Sequence, residues 1–173
     1  MTLLKTMILL GAGLTLAACT DPGRFGDDAG AGLGAAGANG GIVAGSASDP
    51  TSPAYFQQTV GDRVLFLVDT FNLTPDAQRT LDGQAQWLLT NRDYSAIIEG
   101  HADEQGTREY NLALGARRAN SVQEYLISQG VPVSRLKTVS YGKERPIEIC
   151  SAESCYAQNR RAVTVISVGG ASS

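Results

Sequence analysis

The chain has 173 residues, a length that fits one modest domain with accessory segments. Its formal net charge is −3, from 14 basic and 17 acidic residues. This balance gives no electrostatic case for nucleic-acid binding, which needs a basic face to neutralise phosphates. It also lacks the excess of basic residues that draws a protein to an anionic membrane surface.

Residues 1–18 have the organisation of a secretory signal peptide. Lys5 supplies a positive charge, residues 7–16 are apolar or small, and a leucine and two alanines precede Cys19. The apolar run is too short to span a bilayer comfortably. Small residues before a cysteine resemble the lipobox of bacterial lipoproteins, which implies acylation of Cys19 and, because Thr20 follows it, delivery to the outer membrane. The alternative is an ordinary signal peptide with an incidental cysteine.

Residues 19–57 are predicted to form a lipidated N-terminus and a flexible tether. The segment is rich in Gly, Ala, Ser, Asp and Pro, and residues 30–45 are almost wholly small. Such a segment cannot bury enough apolar surface to offset the entropy of ordering the chain. As a Gly-rich coil it has an r.m.s. span of roughly 35 Å.

The folded part is predicted to begin near residue 58 with a strand at 63–68, where the chain is nearly all apolar. A helix follows from Thr74, an N-cap residue placed before Pro75, to about Asn91. Apolar residues recur in it about every four positions, as one face of a helix requires. An isoleucine-rich stretch at 94–99 is the second predicted strand.

A longer helix is predicted from about Thr107 to Gln129, because Gly130 is typical of the position after a helix end. Strands follow at 136–141 and at 162–168, and residues 169–173 form a tail. The alternation of strands and helices predicts an α/β fold: a small mixed sheet with helices packed on one face, spanning residues 58–168.

Two cysteines, Cys150 and Cys155, remain after the signal sequence. An exported protein meets an oxidising compartment, so we predict a disulfide between them. A zinc site is the alternative, but the chain has one histidine and no third cysteine to complete the ligand set.

A polar stretch at residues 100–119 carries the candidate chemistry. Asp103 follows a predicted strand end, where a loop can face solvent. Asn111, Leu114 and Arg118 are spaced i, i+3 and i+7 and therefore share one helix face. If the loop turns back over that face, a carboxylate and a guanidinium meet there. Such a pair could hold a small zwitterion, because Arg binds a carboxylate through two parallel hydrogen bonds and Asp accepts from an ammonium.

This stretch closely resembles the peptidoglycan-associated lipoproteins, a family with OmpA-like C-terminal domains. The resemblance runs from about Arg63 to Val168 and includes residues 140–146 (SYGKERP) and 158–163 (QNRRAV). It implies non-catalytic binding of peptidoglycan, with Asp103 and Arg118 holding the amine and carboxylate of meso-diaminopimelate in the stem peptide. No cofactor is implied.

The resemblance assigns further residues and a partner. Asn111 and Leu114 match motif positions on the same helix, and Phe66 matches an aromatic residue that lines the pocket. Leu67 departs from the family, whose members commonly carry an aspartate after that aromatic residue. The family also implies a protein partner, the TolB-like periplasmic β-propeller of the Tol-Pal system, and a role in envelope integrity and cell division.

Several alternatives stay open at this point. The sequence around His101, Asp103 and Glu104 superficially resembles a hydrolase site, although adjacent carboxylates rarely reach the opposed geometry of a glycosidase. The domain could instead anchor another envelope machine to the wall. Asp103 and Arg118 could only bridge each other. A lone histidine such as His101 is most often a hydrogen-bonded structural residue.

Two other features have structural predictions. The adjacent residues Arg160 and Arg161 precede the last strand, and we expect them to hold the sheet end by ion pairing. Trp87 is expected to serve either core packing or a partner contact.

Overall fold

The computed structural model describes residues 42–168. The predicted signal peptide, Cys19, the greater part of the predicted tether and the predicted tail lie outside this range. Its first elements are a short helical turn, α1, then a π-helix, then strand β1, and its last element is strand β4. The bounds in chain order are α1 Pro53–Tyr55, the π-helix Phe56–Gly61, β1 Arg63–Leu65, α2 Pro75–Thr90, β2 Tyr94–His101, α3 Arg108–Ser128, a 3₁₀ turn Val133–Arg135, β3 Leu136–Gly142, α4 Glu153–Asn159 and β4 Arg161–Val168.

The four strands of residues 42–168 form one mixed sheet in the order β1-β4-β2-β3. Strands β2 and β3 are parallel, and α3 makes the crossover between them that a parallel pair requires. The last strand, β4, inserts between β1 and β2 and is antiparallel to both. The predicted α/β fold with a small mixed sheet is confirmed.

The helices pack on one face because side chains alternate across each strand. In β2, Ala96 and Ile98 are buried toward the helices, whereas Ile97 between them is exposed. Gln84 of α2 accepts a hydrogen bond from Thr164 of β4 beneath it, at 2.8 Å. The core is apolar and lies between the sheet and helices α2 and α3. Its buried members are Phe56, Val64, Phe66, Ala77, Leu81, Ala85, Trp87, Leu88, Ala96, Ile98, Ala119, Val122, Leu126, Val131, Leu136 and Ala162.

Helix α3 crosses β2 at a contact between two glycines. A Cβ added to Gly100 would lie 1.8 Å from the carbonyl oxygen of Gly115, and one added to Gly115 would lie 2.8 Å from that of Gly100. Only residues without side chains allow this approach. The contact brings the face of α3 that carries Asn111, Leu114 and Arg118 over the end of β2, from which Asp103 follows.

Residues before the predicted boundary at residue 58 already pack on the domain. Phe56 is 0% exposed and packs on Trp87, with ring centroids 5.0 Å apart. The indole N–H of Trp87 donates to the Pro50 carbonyl at 2.7 Å. Trp87 is therefore a packing residue that holds residues 50–56 on the domain. The burial of Phe56 stabilises a segment whose small residues had predicted a tether.

Two local differences from the prediction shape the site. The first strand ends at Leu65. Phe66 still donates its N–H to the Arg160 carbonyl at 2.8 Å, but residues 68–69 form a turn where the strand was predicted to continue. Helix α4 was not predicted; it is only seven residues long and has no side-chain N-cap. In the described range, no helix has both the length and the apolar character needed to cross a membrane.

Candidate functional site

A cavity of about 300 Å³ opens between the loop that follows β1 and the loop that follows β2. Three predicted site residues, Asp103, Asn111 and Leu114, line it. The full lining is Val68, Asp69, Asp103, Gln105, Gly106, Tyr110, Asn111 and Leu114. Two carboxylates, polar groups and an apolar wall together suit a ligand with a cationic group on an aliphatic chain.

Asp103 is only 8% exposed, and its carboxylate is fixed from two sides. Its Oδ1 accepts from the Gln105 N–H at 3.2 Å, and its Oδ2 accepts from Arg160 at 3.1 Å. Arg160 also pairs with Glu153 and donates to the Phe66 carbonyl at 3.3 Å. The ion-pair partner of Asp103 in the described chain is therefore Arg160, and the alternative that Asp103 and Arg118 only bridge each other is wrong. The prediction that Arg160 holds the sheet end by ion pairing is confirmed.

Arg118 lies beneath the site and is 0% exposed. Its guanidinium donates to three backbone carbonyls: Thr70 at 2.8 Å, His101 at 2.8 Å and Leu67 at 3.2 Å. Burial lowers the pKa of Arg118 to about 10, and the nearby Asp103 opposes that shift, so the side chain stays charged at neutral pH. Arginine has five N–H donors and these contacts use three. Arg118 is not among the residues that line the cavity, although the sequence predicted it as a ligand-binding residue.

Phe66 is buried under the guanidinium of Arg118, whose central carbon lies 5.2 Å from the ring centroid. It therefore supports Arg118 and does not line the cavity. Leu67, which departs from the family pattern, is 65% exposed and does not line the cavity either.

Asp69, two positions further, supplies a carboxylate to the cavity wall and was missed by the sequence analysis. It has a φ of 55°, in the left-handed region that Asp tolerates better than most residues, and it accepts a hydrogen bond from the Tyr110 hydroxyl. A polar residue directly after an apolar run was the signal available in the sequence.

The loop from Asp103 to α3 is tied down at its far end. Asn111 donates to the Gln105 carbonyl at 2.7 Å, and Lys143 donates to the Gly106 carbonyl at 2.7 Å. Gly106 has a φ of 90°, a conformation that favours glycine. These contacts give the carboxylate of Asp103 a fixed position, which favours binding because less freedom is lost when a ligand arrives.

His101 is 2% exposed, and both of its ring nitrogens lack a hydrogen-bond partner in the described residues. The expectation of a hydrogen-bonded side chain is wrong, because the ring packs against Tyr141 instead. Burial, followed by the charges of Arg161 and Arg145, lowers the pKa of His101 to about 4. Glu99 at 3.7 Å is too distant to form a good hydrogen bond with it. The ring is therefore neutral at neutral pH.

Arg161 differs from its neighbour Arg160. Its guanidinium donates to the carbonyls of Asn159 at 3.3 Å and Arg145 at 3.1 Å. Backbone hydrogen bonds, not the predicted ion pairing, hold it in place.

Cys150 and Cys155 form the predicted disulfide, with their Cα atoms 5.9 Å apart. The bond closes a short ring at the start of α4, and Glu153, the partner of Arg160, lies inside that ring. In residues 42–168, no group of three or more His, Cys, Asp or Glu side chains is arranged to hold a metal ion.

Comparisons with known proteins agree with this architecture. The model of the OmpA family matches residues 65–160. A peptidoglycan-associated lipoprotein from Rhizobium meliloti (strain 1021) is 52% identical over 168 residues, which cover 96% of this chain and 89% of that protein.

Solved structures show the same fold. The crystal structure of the peptidoglycan-associated lipoprotein from Burkholderia pseudomallei matches with a TM-score of 0.64 and 36% identity, over 69% of this chain and 100% of that one. The C-terminal domain of Helicobacter pylori MotB matches with a TM-score of 0.58 over 62% of this chain and 84% of that one; at 22% identity it shows a shared fold alone. The chain belongs to the OmpA family and to the peptidoglycan-associated lipoproteins.

Proposed function

We propose that this chain is a lipoprotein of the outer membrane, anchored through Cys19, that binds the diaminopimelate of peptidoglycan stem peptides without cleaving them. The observation that carries the proposal is the cavity between the β1 and β2 loops, lined by Asp69 and Asp103 with buried Arg118 behind it. The tether predicted at residues 19–57 would let the domain reach the wall from the membrane.

The ammonium of diaminopimelate fits the acidic side of the cavity. Asp69 and Asp103 both line it, and Asn111 and Tyr110 add polar groups. A hydrogen bond to a charged group contributes about 1.5–3 kcal/mol net. Two or three such bonds are enough for specific, reversible binding, and Leu114 and Val68 offer apolar surface to the methylene chain.

The carboxylate of diaminopimelate is assigned to Arg118. Two of its N–H donors are unused by the backbone carbonyls, which is the number a bidentate carboxylate needs. Because Arg118 is fully buried, the connection at residues 66–70 must shift when the carboxylate binds. The ligand therefore binds with a local rearrangement of this connection.

Calorimetric titration of the full chain with stem peptides tests the proposal. We expect binding of a diaminopimelate-type peptide and much weaker binding of a lysine-type peptide, which lacks the terminal carboxylate. Asp103→Ala should weaken the former by about 1.5–3 kcal/mol, roughly tenfold or more. Equal affinity for both peptides, or full affinity of a folded Asp103→Ala variant, would reject the assignment.

We also propose a TolB-like β-propeller as a protein partner that competes with the wall. Large apolar side chains are exposed around the cavity, among them Leu67, Val68 and Phe71, and such a rim suits a protein contact. Titrating the propeller protein into the chain at saturating stem peptide tests the competition. A ternary complex would reject it.

The family match supports the prediction that the chain is not an enzyme. His101 is 2% exposed and does not line the cavity, so it lacks the exposure that acid–base chemistry on a wall polymer requires. Incubation with purified sacculi should release no muropeptides.

A further inference from the structure

We infer that the Cys150–Cys155 disulfide positions the stem-peptide site, so that its reduction weakens ligand binding while leaving the sheet folded. The inference rests on the proposed function, because it concerns regulation of the same site. Its basis is a chain of contacts from the disulfide ring to Asp103.

The first link is Arg160, which bridges the ring and the site. Its guanidinium pairs with Glu153, inside the ring, and with Asp103 at 3.1 Å. Arg160 is buried, and Asp103 is nearly so. A buried ion pair of this kind depends on geometry, because both charges are removed from water. Displacing Glu153 therefore changes the position of Arg160 and, through it, of the Asp103 carboxylate.

The second link is Asn159, at the end of α4. Its side-chain oxygen accepts from the N–H groups of Ile147 and Glu148, at 2.9 and 3.1 Å. Its side-chain nitrogen donates to the Glu148 carbonyl at 2.8 Å and reaches Glu104, the neighbour of Asp103, at 3.4 Å. One fully buried amide thus ties the segment before the disulfide to the ligand loop.

The element between these links is weak on its own. Helix α4 has seven residues and no side-chain N-cap, and a helix this short is marginal without outside support. Residues 147–154 are all exposed, so little burial holds them. The disulfide joins Cys150, three residues before the helix, to Cys155 in its first turn and is the covalent clamp on this segment.

The bond is also accessible. Cys150 is exposed and Cys155 is half-buried, so a dithiol reductant can reach the sulfurs. In the exchange, the S–S bond breaks and two electrons and two protons pass from the reductant to give the Cys150 and Cys155 thiols. The reductant leaves as a disulfide. The opposite reaction restores the clamp.

The test compares the oxidised full chain in detergent, the same chain treated with a dithiol, and the double variant Cys150→Ser, Cys155→Ser. We expect the reduced chain and the variant to bind a diaminopimelate-type stem peptide about tenfold more weakly than the oxidised chain. The variant is the matched control, because the dithiol should not change its affinity. Equal affinities of the oxidised and reduced chains would overturn the inference.

Hydrogen exchange separates positioning from a general loss of stability. Reduction should speed exchange at residues 103–107 and 153–160 and leave β2 unchanged. Faster exchange across the whole sheet would overturn the positioning role. If the oxidised chain does not bind the peptide, the proposed function fails and the affinity effect fails with it. If only the redox difference is missing, the proposed function stands and this inference alone fails.

Discussion

The two ends of strand β2 bury different kinds of residues. At its start, Tyr94 joins Trp87 and Phe56 in an aromatic cluster with successive ring centroids 5.0 Å apart. At its end, charged or titratable side chains are buried instead, with Arg118 at 0% and His101 at 2% exposure. Apolar burial stabilises a fold directly, whereas buried charges are costly unless they are fully paired. The first end holds the domain together, and the second carries the candidate site.

The largest effect on stability should come from the aromatic end. Trp87→Ala removes a buried side chain that packs on Phe56 and Tyr94 and donates to Pro50, so we expect a loss of about 3–5 kcal/mol in the free energy of unfolding. Urea unfolding measures it. The affinity of the remaining folded protein for the stem peptide should be unchanged, and a large drop in that affinity would show that the two ends are coupled.

Arg118→Lys should affect both stability and binding. An ammonium cannot reach the carbonyls of Thr70, His101 and Leu67 in the planar arrangement of a guanidinium, so some of these buried acceptors lose their donor. We expect a loss of about 2–3 kcal/mol in unfolding free energy and at least about tenfold in affinity. Arg117→Lys, on the exposed side of the same helix, is the matched control. Wild-type affinity in a folded Arg118→Lys protein would show that Arg118 does not bind the ligand.

His101 should make stability depend on pH. Its pKa in the folded chain is about 4, below the ordinary value of 6.5, so the unfolded chain binds a proton first as the pH falls. Stability is therefore unaffected above pH 6.5 and decreases between about pH 6.5 and 4, by up to about 3 kcal/mol. Urea unfolding at several pH values, with His101→Phe for comparison, measures this contribution. The same pH dependence in both proteins would assign it to other groups.

The smallest effect is expected from Asp69→Asn. Asparagine tolerates the positive φ and keeps the shape, so only the charge facing the cavity is lost. Because Asp69 is exposed, its contribution to binding an ammonium should be at most about 1 kcal/mol. Calorimetry with the stem peptide measures it, and a loss larger than that of Asp103→Ala would reverse the ranking of the two carboxylates.

Much of the fold followed from local sequence signals. The helix from Pro75 to Thr90 begins after the predicted cap, Thr74, whose side chain accepts from the Ala77 N–H. Apolar periodicity and capping depend on near neighbours, so they are visible in one sequence. The short helix α4 has neither a side-chain cap nor a long apolar stripe, and it escaped prediction for that reason.

The sequence by itself determined the four strands, the two long helices, the disulfide partners and the loop and helix that supply the candidate site. Tertiary structure decided which charges meet: Asp103 pairs with Arg160, 57 residues away, and Arg118 holds backbone carbonyls. It also brought Asp69 into the cavity wall. The physical reason is that a buried guanidinium donates to the acceptors that the packing of β1, β2 and α3 removes from water. Which acceptors lie within hydrogen-bond distance of it is set only when distant segments of the chain come together.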